Sequence, residues 1–233
     1  MTQPAAAASG AKEPLPPMFR EIQAHYPGLE MRVLFDVGAN VGQSTMLYAR
    51  HFPDATIWAA EPTDDSFAAL ERATAALPGV RPLQLAFGES AGKVRMTMES
   101  TSTRNHITSA PVSELVREVR IDRLDAFCAA QGIDAINFLK VDTEGHDLEV
   151  LKGATGVFPR VDFVQTEVSM NRYNRFHVPF QDVFDFMSDQ GFMLYKIYGL
   201  AFESREHGVL RRADPVFVSG RLVPSLAGRV VSR

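Results

Sequence analysis

An acid and two glycines around a turn, Asp36, Gly38 and Gly42, have the clearest chemical use in this chain. Residues 33–37 form an apolar run of strand character and helix-like sequence begins at 43, so a strand hands over to a helix through glycines that let backbone approach a ligand closely. Phosphate fits this loop poorly. The dinucleotide fingerprint needs a glycine where Asn40 stands, and Gly42, Gln43 and Ser44 lack the lysine of a Walker loop. A carboxylate at the loop mouth, Asp36, would repel pyrophosphate and attract an ammonium or a sulfonium. A second acid, Glu61, ends the apolar run 56–60, precedes Pro62 and lies 19 positions beyond Gly42. That is close to the spacing of about 20 at which an acid accepts hydrogen bonds from ribose hydroxyls. A ribose-bearing cation that is not a dinucleotide suggests S-adenosylmethionine. The plainer alternative is a turn glycine pair with a surface Glu before a proline.

Two further acids, Asp142 and Glu167, follow the apolar runs 136–141 and 161–166. Ligands of open α/β sheets sit outside the carboxyl ends of the strands, so Asp36, Glu61, Asp142 and Glu167 are expected along one rim. Methyl transfer from a sulfonium is an in-line displacement, and a hydroxyl acceptor gains from a base that takes its proton. His146 has the right intrinsic pKa for that base. A lone His at a helix start is more often structural or solvent-facing, and Asp142 and Glu167 are the alternative bases. A divalent cation held by Asp142 and Glu167, with Glu144, would lower the pKa of two sugar hydroxyls. Less exotic roles are favoured over the metal: Asp142 binds cofactor and Glu144 sits in a dipole-favoured first helical turn. Lys140, two before Asp142, shares its sheet face and can pair with an acid there. The polar stretch 99–113 has no period of either kind. It is either a solvated excursion or part of a substrate lid over 99–118 that holds Arg104, Asn105 and His106. Asn171 follows Glu167 closely enough to touch an acceptor, though a bare loop suits it as well.

These residues need a sheet to hold them. Runs at 33–37, 56–61 and 81–86, separated by helical stretches at 43–51 and 64–77, make two βαβ units and hence a parallel sheet. The pattern continues with a strand at 93–98, a short strand at 119–121, a helix over 122–131 closed by Gly132, strand 136–141, a helix within 143–152 and strand 161–167. A helix over 180–190 precedes strands 192–198 and 214–219, expected as an antiparallel edge joined by a long charged loop. A short helix at 18–25 follows Pro17. At 233 residues and 45% hydrophobic content the chain holds a sizeable core in one large domain or a domain and a half. A net charge of -4 argues against a nucleic-acid surface. One cysteine, Cys128, excludes an internal disulfide and points to a reducing, cytoplasmic setting. Residues 1–17 lack the features of a secretory signal and read as a disordered tail, and no apolar run reaches the length of a membrane span.

Taken together, the stretch from Phe35 to Gly42, the Ala60-Glu61-Pro62 triplet, residues 121–125, the block 140–154 and residues 164–167 resemble the FkbM family of S-adenosylmethionine-dependent methyltransferases. The likeness covers about 33–219. It implies a single Rossmann-like α/β methyltransferase domain over 18–233, with a seven-stranded, mostly parallel sheet, an antiparallel edge strand and helices on both faces. It also implies O-methylation of a hydroxyl on a sugar, glycoside or natural product. By position, Asp36, Gly38, Ala39, Asn40 and Gly42 would line the methionine end and Glu61 would hold the ribose, with Ser44 and Pro62 completing the set. Phe87 and Gly88 would flank adenine, and Asp142 would lie near the cofactor's amino group or the acceptor. The resemblance carries over no role for His146. Two other readings stand beside it. One is a cofactor-binding module without turnover. The other is an NAD or nucleotide-sugar enzyme, disfavoured by Asn40 and by the lack of a Tyr-x-x-x-Lys couple. The partner expected is a small hydroxylated acceptor, not nucleic acid; its identity, and whether the chain forms a homo-oligomer, stay open.

Overall fold

The computed structural model describes residues 14–98, 105–204 and 206–223. The chain divides into a unit over residues 1–30 and a unit over 31–233. In the first, α1 (Pro17–His25) starts with proline, whose fixed φ and missing N–H suit a first turn. Most of the expected tail, residues 1–13, lies outside the described residues.

The second unit is built on alternating strands and helices. In chain order these are β1 (Val33–Val37), α2 (Gln43–His51), β2 (Thr56–Ala60), α3 (Asp64–Thr74), β3 (Val80–Leu83), β4 (Ala86–Phe87), β5 (Gly92–Thr97) and β6 (Val116–Asp122). There follow α4 (Leu124–Gln131), β7 (Ile136–Val141), α5 (Asp147–Lys152), β8 (Val161–Thr166), β9 (Val168–Ser169), α6 (Phe180–Asp189), β10 (Phe192–Ser204) and β11 (Val209–Ser219). The main sheet runs β3-β2-β1-β7-β8-β11-β10, with β9 pairing on β11. Neighbours from β3 through β8 are parallel, while β11 is antiparallel to both β8 and β10. The expected mostly parallel sheet with an antiparallel edge is therefore present. Its central strands are continuous apolar runs because both faces are covered; in β7, Ile136, Phe138, Leu139 and Val141 are fully buried.

Three expectations need correction. The strand foreseen at 81–86 is two strands: β3 ends at Leu83, and β4 leaves the main sheet to form a three-stranded sheet in the order β4-β6-β5. Pro82 is tolerated because β3 is an edge strand, paired among the described residues with β2 alone. The foreseen charged loop between the last two strands is instead the outer half of a long hairpin, in which β10 has 13 residues, β11 has 11, and the tight turn carries Gly208 at φ +65°. Finally, the helix after β7 begins at Asp147, so residues 142–146 form an irregular loop.

An aromatic cluster joins the two sheets. Phe35 and Trp58 are register partners on β1 and β2 and stack at 6.1 Å. Phe127 of α4 sets its ring edge-on to both and to Phe87 of β4. Complete burial of Phe35 and Phe87 contributes roughly 1.5–3 kcal/mol each. Among the described residues no helix is long and apolar enough to cross a membrane.

Candidate functional site

Register sets four strand ends level: Val37 pairs with Ala60 and Val141, and Val141 pairs with Thr166. The residues that follow, Gly38, Glu61, Asp142 and Glu167, consequently emerge along one rim, where a cavity of about 340 Å³ opens. The main sheet supplies one wall. Phe87 and Met96 of the small sheet, with Ile107, supply another.

On the β1 side, the N–H groups of Gly38 and Ala39 both donate to the Ala60 carbonyl at 2.9 Å. Gly38 has φ +82°, and a Cβ there would lie 1.9 Å from the Asp142 carbonyl oxygen, so only glycine lets the loop pass between β2 and β7. Glu61 fixes the next turn. Its Oε2 accepts the Asn40 N–H at 3.0 Å, and its Oε1 accepts the N–H and hydroxyl of Thr63 at 2.9 and 2.5 Å. Burial raises the Glu61 pKa against the opposing hydrogen bonds from Thr63 and Asn40. Gly38, Ala39, Asn40, Ser44, Glu61, Pro62, Phe87 and Asp142 all line the cavity.

Asp36, expected at the mouth of the ligand site, is not among the residues that line the cavity. It is wholly buried, accepts the Thr45 hydroxyl at 2.6 Å and pairs with Lys140 Nζ at 3.2 Å. Lys140 also reaches Asp142 at 3.1 Å. Burial alone would lower the Lys140 pKa, but Asp36 and Asp142 together raise it. The rim is thus not a bare row of negative charge: the innermost acid is neutralised by a lysine that itself lines the cavity. Gly42 and Gly88 are not among the residues that line the cavity; a Cβ on Gly42 would meet Leu70, and one on Gly88 would meet Ile121 and His146.

Across the cavity, the 142–146 loop turns through Glu144 at φ +54° and Gly145 at φ +96°. Buried Asp147 holds it from beneath, accepting the Thr143 hydroxyl at 3.2 Å, the Gly145 N–H at 3.3 Å and the Thr166 hydroxyl at 3.0 Å. A Cβ on Gly145 would sit 2.2 Å from the Phe176 carbonyl oxygen, so the loop lies tight against the segment after β9. Glu144 lines the cavity, and burial, followed by the charge of Asp142, pushes its pKa up to about 7. His146 lines the cavity too. Burial lowers its pKa, and its Nε2 is enclosed without a hydrogen-bond partner, close to Gly88 rather than open to an acceptor.

Glu167 is buried behind this loop. Its Oε1 contacts Arg212 Nη1 and its Oε2 lies 2.5 Å from His177 Nε2, so neither oxygen faces the open cavity. Asp142 and Glu167, paired in the sequence-based metal option, therefore have different partners: Lys140 for one, Arg212 and His177 for the other. Of the expected acceptor contacts, Asn105 lines the cavity. His106 turns to Thr97 and packs on Phe176. Asn171 is structural: its Nδ2 donates to the Leu210 carbonyl, and its Oδ1 accepts the N–H groups of Tyr173 and Asn174. Arg104 lies outside the described residues. Sequence reasoning missed Arg212, which lines the cavity from β11, and His177. Arg212 lay in what looked like a charged loop, and nothing local marked either residue.

The model of the FkbM methyltransferase domain matches residues 36–194. A hexuronic acid methyltransferase, AglP, from Haloferax volcanii is 32% identical over 138 residues, covering 58% of this chain and 55% of its own. The 31-O-demethyl-FK506 methyltransferase FkbM of Streptomyces tacrolimicus is 33% identical over 177 residues, covering 60% and 68%. The chain thus spans between about half and two thirds of the length of these relatives. In fold it is similar to the crystal structure of an S-adenosylmethionine-dependent methyltransferase from Clostridium acetobutylicum, with a TM-score of 0.50, 6% identity and coverage of 87% and 89%. From the rim geometry and the matched span together, this chain belongs to the FkbM methyltransferase domain family.

Proposed function

We propose that this chain is an S-adenosylmethionine-dependent O-methyltransferase acting on a hydroxyl of a sugar, glycoside or natural product. The observation that carries this reading is the cavity itself. It is of small-ligand size, with the glycine loop and Glu61 on one side and Asp142 on the other. Its residues suit the cofactor: Gly38 admits close backbone approach, and Glu61 offers a buried carboxylate beside the loop. When bound, S-adenosylmethionine supplies an electrophilic methyl group on a sulfonium.

The chain's own part is alignment and proton handling. Glu61 orients the ribose, and the backbone of Gly38 to Asn40 packs against the methionine portion. Asp142, about a third exposed and lining the cavity, is placed to accept the hydroxyl proton, with Lys140 fixing its side chain. The acceptor class is supported by the names of two relatives, one a hexuronic acid methyltransferase and the other a 31-O-demethyl-FK506 methyltransferase. Incubation with S-adenosylmethionine and a panel of uronic acids, glycosides and hydroxylated macrolides, read by mass spectrometry, should yield a product heavier by one methyl group. Asp142→Asn should cut turnover by roughly 10²–10⁴ while cofactor affinity by calorimetry changes far less. Absence of S-adenosylmethionine binding to the native protein would overturn the assignment.

A further inference from the structure

Beneath the acceptor side of the cavity, Glu144, Glu167 and His177 each bring one ligand-type atom to within 4.8 Å of the others. The three come from separate elements: the 142–146 loop, the end of β8 and the segment before α6. Their partners are arranged unevenly. Arg212 contacts Glu167 Oε1, whereas Oε2, in a residue only 4% exposed, has His177 Nε2 as its close neighbour. His177 Nδ1 is engaged with the Asn174 side chain at 3.0–3.2 Å. Asn174 is itself oriented: its Oδ1 accepts the Phe176 N–H, and its Nδ2 donates to the Arg211 carbonyl. The Asn174 contacts suit either tautomer; in the one whose Nδ1–H donates to Asn174 Oδ1, a neutral His177 turns the lone pair of Nε2 towards Glu167 Oε2 at 2.5 Å and Glu144 Oε2 at 3.7 Å. In that tautomer three acceptor atoms meet in a half-buried space, an arrangement that a cation between them would stabilise.

We propose that Glu144, Glu167 and His177 form a divalent-cation site that is reached from the acceptor side of the cavity through Glu144, the one of the three that lines it. One imidazole nitrogen and two carboxylate oxygens suit a borderline ion such as Mn²⁺ or Zn²⁺ better than Ca²⁺. Around an ion with bonds of about 2.0–2.2 Å, the close His177–Glu167 pair has to open to about 3 Å. Arg212 on Oε1 and Asn174 on Nδ1 act as the outer partners that orient two of the ligands. The ion's role rests on the methyltransferase reading: it binds one or two hydroxyl oxygens of the acceptor. The O–H bond then breaks with its electron pair left on the cation-bound oxygen, and the proton passes to the Asp142 carboxylate.

The test uses full-length protein stripped with chelator, dialysed and titrated with Mn²⁺ alone, with no cofactor or acceptor. Free Mn²⁺ is followed by electron paramagnetic resonance, and folding is checked by circular dichroism. One ion should bind per chain. Glu167→Gln and His177→Ala should each weaken binding roughly 10–100-fold, and the more accessible Glu144→Gln, which perturbs the interior least, should do the same. No binding, or binding unchanged in all three folded variants, overturns the site and leaves His177 and Glu167 as a hydrogen-bonded pair. If Mn²⁺ binds but S-adenosylmethionine does not, the cation site stands and the methyltransferase reading fails. Full-rate methylation by stripped protein without Mn²⁺ binding sinks the cation site alone.

Discussion

At the scale of single residues, the rim acids divide by what they touch. Asp36 is wholly buried and committed to Thr45 and Lys140, so its removal takes from Lys140 one of the two carboxylates it pairs with among the described residues. Breaking one side of such a pair costs about 3–5 kcal/mol. Asp36→Ala should therefore lose about that much in urea unfolding, with Asp36→Asn recovering part by keeping an acceptor for Thr45. A variant as stable as the native chain would show that Asp36 is not the neutraliser described. Glu61 acts differently, because its carboxylate is raised in pKa by burial and lies where ribose hydroxyls would donate. Donors favour the charged form, so cofactor binding expels the proton that Glu61 holds at mildly acid pH. Cofactor affinity should then fall as pH drops towards the raised Glu61 pKa, with onset above the ordinary value of 4.5. In Glu61→Gln affinity should be weaker and its acid-side slope flatter. Calorimetry across the acid range reads both, and an identical slope in the two proteins would remove Glu61 from the pocket.

Among elements, the loops at strand ends divide the work. The β1–α2 loop passes Asp142 with no room for a side chain at Gly38, while the 142–146 loop presses Gly145 on Phe176. Gly145→Ala meets both a backbone oxygen and an unfavourable positive φ, a strain on the order of 1–3 kcal/mol. Its loop carries Asp142 and Glu144, so turnover should fall more than cofactor affinity. Gly38→Ala should do the reverse. If both variants lose the two quantities in parallel, the loops do not act separately. Much of this framework is legible in the sequence because each central strand is an apolar run closed by an acid, and order along the chain fixes the parallel neighbours. The split at Gln84 and Leu85 is not legible, since both segments are β-like and only pairing with β6 draws Ala86 and Phe87 into another sheet. Nor is the hairpin. Residues 199–213 carry charges and two positive-φ glycines, and they become strand only by long-range pairing of β10 with β11. Arg212 reaches Glu167 through the pairing of β11 with β9 and β8, which no local spacing could signal.

For the molecule as a whole, the cavity is where the two sheets of the larger unit meet, so a ligand there ties Glu61 and Asp142 of the main sheet to Phe87 and Met96 of the small one. A ligand that binds only the folded chain stabilises it by about 2.7 kcal/mol at a hundredfold excess over Kd, worth roughly 5–10 °C in Tm for a domain of this size. The rim adds a charge dependence. Burial and then Asp142 push Glu144 and Asp147 up to about 7 and Asp214 up to about 6, so carboxyls near the cavity hold protons at neutral pH and below. A cationic ligand favours their ionised forms and releases those protons, whereas the same ligand without its methyl group is neutral at sulfur and does so less. S-adenosylmethionine should therefore raise Tm more at about pH 8 than at about pH 6, and S-adenosylhomocysteine should show a smaller contrast. Thermal unfolding of the same preparation with each ligand measures the difference. Equal increments for the two at both pH values would mean that the sulfonium charge is not felt by the rim.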